Sequence, residues 1–273
     1  MLNKEFGTLL NQIRERKPLI HHITNYVTVN DCANITLGIG ASPVMADAID
    51  EAADITAISS ALVLNMGTLN ERTIPSMIAA GKSANAKGIP VVLDPVGAGA
   101  SKFRNNTAER LMTEVKLSVL RGNISEIRFM VGLGAETRGV DASERDLADT
   151  SSAGEVTKSL AQRLRCIVVV SGAVDIVSDG NKTMYIENGH PMLGNLTGTG
   201  CMCSSLIGAF CGASKDKLFE ATAAAMLCMG VAGELAYKKS GQLGGGSFHV
   251  ALHDAVSRMD AATLERWGNY HEA

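Results

Sequence analysis

In this 273-residue chain, chemistry concentrates in Asp94, Arg121, Glu126 and the run Gly198, Thr199, Gly200 and Cys201. The stretch "LTGTGCMCSS" (196–205) sets two glycines ahead of an apolar, small-residue run that reads as a helix. Such a start leaves backbone N–H groups free to hold an anion, and the helix dipole favours the negative charge. An arginine clamps phosphate, and carboxylates hold Mg²⁺ directly or through water. Together these residues point to a nucleoside triphosphate with magnesium. Each also has a plain structural reading: the glycine loop caps a helix, "RGNISEI" (121–127) turns after a strand, and Asp94 before Pro95 forms a turn. Cys201 has four candidate roles at this point, namely nucleophile, metal ligand, proton acceptor and packing residue.

Other polar groups offer less. His21 and His22 are adjacent without a partner at ligand spacing, and read as structural or pocket-lining. His249 and His253 stand at i and i+4, which can bind metal, but the sequence shows no third ligand. Cys201 and Cys203 lack a second Cys or His pair, so zinc is not expected there, and Cys203 and Cys211 read as buried packing. There is no G-x-x-x-x-G-K-[ST] sequence, and "GLGAET" (132–137) lacks the third glycine of a dinucleotide fingerprint.

These residues need elements to position them. The runs at 53–59 ("ADITAIS"), 61–67, 88–97 and 165–172 are β-rich, and "KLSVL" before Arg121 reads as another strand. Continuous apolar stretches such as 91–93 and 167–170 suit strands buried on both faces. Helical stretches at 73–88 and 152–165 alternate with them, which predicts a parallel sheet with helices on both sides. Residues 175–193 carry an Asp-Gly turn and alternation, a hairpin at the sheet edge. After Gly200 the chain reads as helical to its end, with Ser247 as a cap. Residues 1–20 read as an amphipathic helix, and 143–155 as a solvated loop or helix start. Ligands of open parallel sheets sit beyond the carboxyl ends of the strands. That rule gathers Asn65, Met66, Gly67, Asp94, Arg121, Ser171, Gly172 and the Gly198–Gly200 loop on one rim.

Composition narrows the classes. Hydrophobic residues are 46% and charged ones 19%, enough to build a core in one α/β domain, 1–273. A net charge of −3 and 4% aromatics give no case for nucleic acid or anionic membrane. No signal peptide is evident, and no stretch reads as long and apolar enough to span a bilayer. Six unevenly spread cysteines read as reduced thiols, so a cytoplasmic location is expected.

The motifs in order, "HHITNYVTVNDCAN" (21–34), "ASPVMADA" (41–48), "NMGTL" (65–69), "VVLDPVGAGAS" (91–101), "RGNISEI" and "GTGC" (198–201), together resemble the hydroxyethylthiazole kinase family over nearly the whole chain. The resemblance implies a ribokinase-like three-layer sandwich, a mostly parallel sheet flanked by helices. It implies transfer of the γ-phosphate of ATP, with Mg²⁺, to 4-methyl-5-(2-hydroxyethyl)thiazole for thiamine synthesis, by a homotrimer that binds the thiazole between subunits. Carried over by motif, Met45, Gly198, Asn25, Val27 and Gly67 contact the thiazole, and Arg121 and Ser171 contact ATP. Asp94 and Glu126 organise Mg²⁺, and Gly198 to Cys201 form an anion hole. Ser171 stands where the family more often has Thr, and Met66 where Leu is common. Cys201 stands where related sugar and pyrimidine kinases carry Asp, which makes it a weak base at best. Another small-alcohol kinase of the same superfamily, or a thiazole-binding protein without turnover, are the alternatives.

Overall fold

The computed structural model describes residues 2–133 and 150–273. Helix α1 (Leu2–Arg16) ends where Lys17 turns to a φ of 45° and Pro18 forbids continuation. The chain then enters β1 (Leu19–Ile23), so the helix expected over 1–20 stops short and a strand begins inside it. α2 (Val29–Ile39) leads to β2 (Ser42–Met45), and α3 (Ile49–Ala57) to β3 (Ala61–Asn65). The strand expected at 53–59 is therefore mostly helix. Burial of Ala52, Thr56 and Ser59 follows helical spacing, and Asp50 and Glu51 complement the helix start. These outweigh the β-branched Ile55, Thr56 and Ile58.

The alternation then runs as expected: α4 (Thr73–Lys87), β4 (Val91–Asp94), α5 (Lys102–Glu114), β5 (Val119–Asn123), α6 (Ile124–Leu133), α7 (Thr150–Leu164) and β6 (Ile167–Ser171). Most of "GLGAET" and residues 143–149 of the expected polar loop lie outside the described residues. The hairpin is β7 (Asp175–Ser178) and β8 (Thr183–Ile186), its turn held by Asp179 Oδ1 accepting from Asn181 and Lys182 N at 2.7 Å each. After α8 (Thr199–Ala213), α9 (Leu218–Ser240), α10 (Gly245–Ser257) and α11 (Ala261–Trp267), the chain closes with β9 (Tyr270–Glu272). The tail is thus not helical throughout, and β9, not the hairpin, is the sheet edge. Ser247 does not cap α10. Gly244 occupies that position, and Ser247 lies inside the first turn.

Among the described residues, nine strands form one sheet in the order β2-β1-β3-β4-β5-β6-β7-β8-β9. The first six are mutually parallel, and β7, β8 and β9 are antiparallel. Alternate residues feed two cores. Ile20, Val63, Val92 and Val119 pack against α1, α2, α8, α9 and α10, whereas Leu62, Leu64, Leu93 and Leu120 pack against helices α4 to α7. The result is the expected helix–sheet–helix sandwich. Its strand order reverses direction between β1 and β3, the crevice where open sheets bind ligands.

One expectation fails on α9. The stretch Leu218–Leu243, whose most apolar window has mean hydropathy 1.4, is long and apolar enough to cross a membrane by length and composition. Its most apolar window is 78% buried inside the fold, because helices α1, α8, α10 and the sheet surround it. A helix enclosed on all sides is apolar on all sides.

Candidate active site

The carboxyl ends of β1, β3, β4, β5 and β6 lie together, and α8 points its first turn at them. Gly198 adopts a φ of 89° as the residue before α8, a conformation that costs little only for glycine. A Cβ there would also sit 2.6 Å from Cγ2 of Thr28. The first helical hydrogen bond runs from Met202 N to Gly198 O at 2.8 Å. The N–H groups of Thr199, Gly200 and Cys201 therefore precede the helical ladder. Thr199 Oγ1 donates to Leu193 O at 3.0 Å and ties this start to the preceding 3-10 turn.

Arg121 is the centre of the cationic side. Its Nη1 lies 3.5 Å from Asp94 Oδ2, and Nη2 donates to Ser171 Oγ at 2.8 Å. Asp94 is fully buried, and Ser204 Oγ donates to its Oδ2 at 2.8 Å. Its Oδ1 is buried without a hydrogen-bond partner. Burial pushes the Asp94 carboxyl above the usual range, while Arg121 and Ser204 pull it down. Glu126 stands in the first turn of α6. Its Oε2 accepts from Asn123 N at 2.8 Å, and Asn123 Oδ1 accepts from Glu126 N at 2.9 Å, a reciprocal cap. Its Oε1 accepts from Gly97 N at 2.9 Å and holds the loop after β4.

The other side of α8's first turn is an amide cluster. Asn25 Nδ2 donates to Asn65 Oδ1 at 2.9 Å, and both Asn25 and Asn65 donate to Cys201 Sγ, at 3.2 and 3.3 Å. Gly67 N donates to Asn65 Oδ1 at 2.8 Å. Burial raises the Cys201 thiol, and the neighbouring Asp94 raises it further, against the amide donors. A thiol so placed is mostly protonated at neutral pH. Among the described residues no histidine hydrogen-bonds Cys201, which argues against a nucleophile.

Two cavities concern this site, and the first turn of α8 lines one of them. The larger, about 550 Å³, is lined by Arg121, Ser171, Asp175, Thr199 and Gly200 among others. Cys203 also lines it, although its side chain is almost fully buried. The smaller, about 250 Å³, holds Met45 with His22, Thr24, Thr68 and Arg72. The structure thus separates Met45 from Arg121 and sets Asn25, Gly67, Gly198 and Cys201 near the α8 start. Val27 lines neither cavity and is 57% exposed, beside Tyr26 at 78%. His21 is structural, held by Thr56 and by Ala46 O at 2.8 Å, whereas His22 lines the Met45 cavity with a buried, unpartnered Nε2.

Two participants escaped the sequence reading, and a third, Asn65, was placed on the rim without a role. Arg104 on α5 donates to Gly67 O at 2.8 Å, to Val96 O at 2.6 Å and to Met66 O, clamping the loops after β3 and β4. Nothing around Arg104 in the sequence marks it. Asp175 at the start of β7 lines the larger cavity. Burial pushes its carboxyl up to about 6, against the Gly172 N–H and Arg121. Its place after the "SG" that ends β6 was a usable signal. Asn65 supplies an oxygen and an amide to the cluster, and the sequence marked it only as a strand end.

Comparison with known proteins agrees with this fold. Residues 10–262 match the Hydroxyethylthiazole kinase family. A hydroxyethylthiazole kinase of Clostridium beijerinckii is 59% identical over 269 residues, covering 98% of this chain and 97% of that one. The structure of a hydroxyethylthiazole kinase from Pyrococcus horikoshii OT3 superposes with a TM-score of 0.89 at 38% identity, covering 99% of both chains. A ribokinase-like superfamily protein from Enterococcus faecalis shares the fold at a TM-score of 0.58 and 9% identity, covering 92% of this chain and 89% of that one.

Proposed function

The chain belongs to the hydroxyethylthiazole kinase family, and from that premise we propose that it transfers the γ-phosphoryl group of ATP to the hydroxyl of 4-methyl-5-(2-hydroxyethyl)thiazole at the first turn of α8. The observation that carries the reading is the position of that turn. Its free N–H groups border the cavity with the arginine, and Asn25, which donates to Cys201, sits in the chain between Thr24 and Tyr26 of the smaller cavity with the methionine. The triphosphate enters the larger cavity, with Arg121 and Ser171 as its contacts. The thiazole packs on Met45, whose thioether adapts to a flat sulfur ring, with Asn25, Val27, Gly67 and Gly198 around it.

The residues suit magnesium. Asp94 Oδ1 is a buried carboxylate oxygen without a partner, which a cation would satisfy. Glu126 spends one lone pair of each oxygen on a backbone N–H, which leaves the others for metal-bound water. When bound there, the ion would offset charge on the triphosphate. Phosphoryl transfer asks the protein chiefly for positioning and charge stabilisation. Arg121 and the N–H groups of Thr199, Gly200 and Cys201 supply the second, aimed at the transferred phosphoryl oxygens. The acceptor oxygen bonds to phosphorus as the bond to ADP breaks, and its proton leaves late, to an oxygen of the transferred phosphoryl group or to water. Cys201 takes that proton weakly at best, since its thiol is raised.

The proposal extends to a single ribokinase-like domain over 1–273, a cytoplasmic location and a homotrimer. Val27 and Tyr26 support the trimer, because apolar groups exposed beside the Met45 cavity suit a neighbouring subunit that completes it. A coupled assay of ADP release tests the reaction, with the thiazole alcohol set against sugar and pyrimidine alcohols. The account expects the thiazole alcohol to win by kcat/KM. A preference for another alcohol, or tight thiazole binding without ADP release, overturns it.

A further inference from the structure

His249 and His253 lacked a third ligand in the sequence, and the fold supplies one. α10 runs alongside α2, with Ser257 facing Gly38. This brings Asp31, in the first turn of α2, under both imidazoles. His249 Nε2 lies 2.9 Å from Asp31 Oδ1, and His253 Nε2 lies 3.6 Å from the same oxygen. One donor atom from each residue falls within 4.8 Å of the other two.

From this convergence we infer that Asp31, His249 and His253 form a binding site for a divalent transition-metal ion of the zinc class, joining α2 to α10 beside the Gly198 loop, where a Cβ on Gly198 would sit 3.7 Å from Asp31 Oδ2. An ordinary ion pair accounts poorly for the geometry. His249 Nε2 is buried and makes no hydrogen bond, despite lying 2.9 Å from the carboxylate oxygen. Its ring direction therefore misses that oxygen. Metal ligands behave in this way, because their lone pairs converge on a point off the line between donor atoms. An ion pair also needs one histidine, and here two address one oxygen. Bonds of about 2.0–2.1 Å to a tetrahedral ion put ligand atoms about 3.3 Å apart, and the 2.9 and 3.6 Å separations bracket that value. Two imidazoles with one carboxylate suit Zn²⁺, Co²⁺ or Ni²⁺, whereas Mg²⁺ prefers oxygen donors. All three side chains are partly exposed, so an ion can reach them and water can complete its shell.

The site is tested on the full-length protein, stripped of metal with a chelator, by titration with Zn²⁺ alone and then in excess Mg²⁺. The expected result is one ion per chain that excess Mg²⁺ does not displace. His249→Ala and His253→Ala each weaken binding at least about tenfold, since even outer-shell changes at metal sites reach that size. Co²⁺ in the same site shows d–d bands without a thiolate charge-transfer band. Thermal unfolding in chelator checks that the variants fold, and His249→Gln replaces the alanine variant if it does not. Zn²⁺ affinity unchanged in both histidine variants overturns the inference. So does binding that depends on Cys201, read by a thiolate band that Cys201→Ser removes.

Discussion

Replacing Gly200 by alanine puts a methyl carbon 2.6 Å from Arg121 Nη1. Ordinary contact begins near 3.4 Å, so the guanidinium must retreat by about 0.8 Å. The backbone at Gly200 is helical and tolerates alanine, which also favours helix by up to about 1 kcal/mol. The obstacle is the end of a flexible side chain, so the fold survives with a stability change under about 1 kcal/mol. Function does not, because the displaced group loses its 2.8 Å bond to Ser171 and its place at the phosphate. Losing one preorganised donor, or misplacing it by about 1 Å, costs about 10²- to 10³-fold in rate, or about 3–4 kcal/mol. Steady-state kinetics with the thiazole alcohol, alongside thermal unfolding, separate the two effects. Wild-type kcat/KM in a folded Gly200→Ala protein would refute the reasoning that Arg121 acts from this position.

Cys201→Ala keeps at least about a tenth of wild-type kcat, because a raised thiol supplies little of the factor that a tuned general base gives. Cys201→Asp keeps or raises activity, since the Asn25 and Asn65 amides can donate to its carboxylate; loss of all turnover in both variants, with ATP binding intact, contradicts this. Glu126→Gln has one acceptor oxygen where two are used, so it loses about 1 kcal/mol of stability. It also raises the Mg²⁺ concentration for half-maximal activity, which a magnesium titration reads. Burial lowers His22 from 6.5 to about 4. The unfolded chain therefore takes up this proton before the folded one. The stability from neutral His22 is complete above pH 6.5 and is lost as pH falls through about 4, up to about 3 kcal/mol over about 2.5 pH units. Denaturant unfolding at pH 7 and pH 4.5 should show a shallower pH slope in His22→Gln, and an identical slope rejects the assignment.

The layered architecture was legible because Val91–Leu93 and Ile167–Val170 are apolar without interruption, which only strands covered on both faces require. The rim followed from one rule about strand ends, and it brought Asp94, Arg121, Ser171 and the Gly198 loop together. The errors have local causes. Residues 53–59 carry β-branched side chains, yet their burial spacing belongs to a helix, and spacing over so short a run is ambiguous. β9 was invisible because Tyr270, His271 and Glu272 take their extended form from pairing with β8. Arg104 and the Asp31, His249 and His253 cluster depend on contacts between segments far apart in the chain, which no local pattern encodes. The length and hydropathy of α9 were present in the sequence, but its burial was not.

A crystal structure with a non-hydrolysable ATP analogue and the thiazole alcohol bound together tests the central claim most directly. The account predicts the γ-phosphorus against the N–H groups of Thr199, Gly200 and Cys201, the nucleotide on the Arg121 side and the ring on Met45. A nucleotide in the Met45 cavity, or a γ-phosphate away from the start of α8, would contradict it.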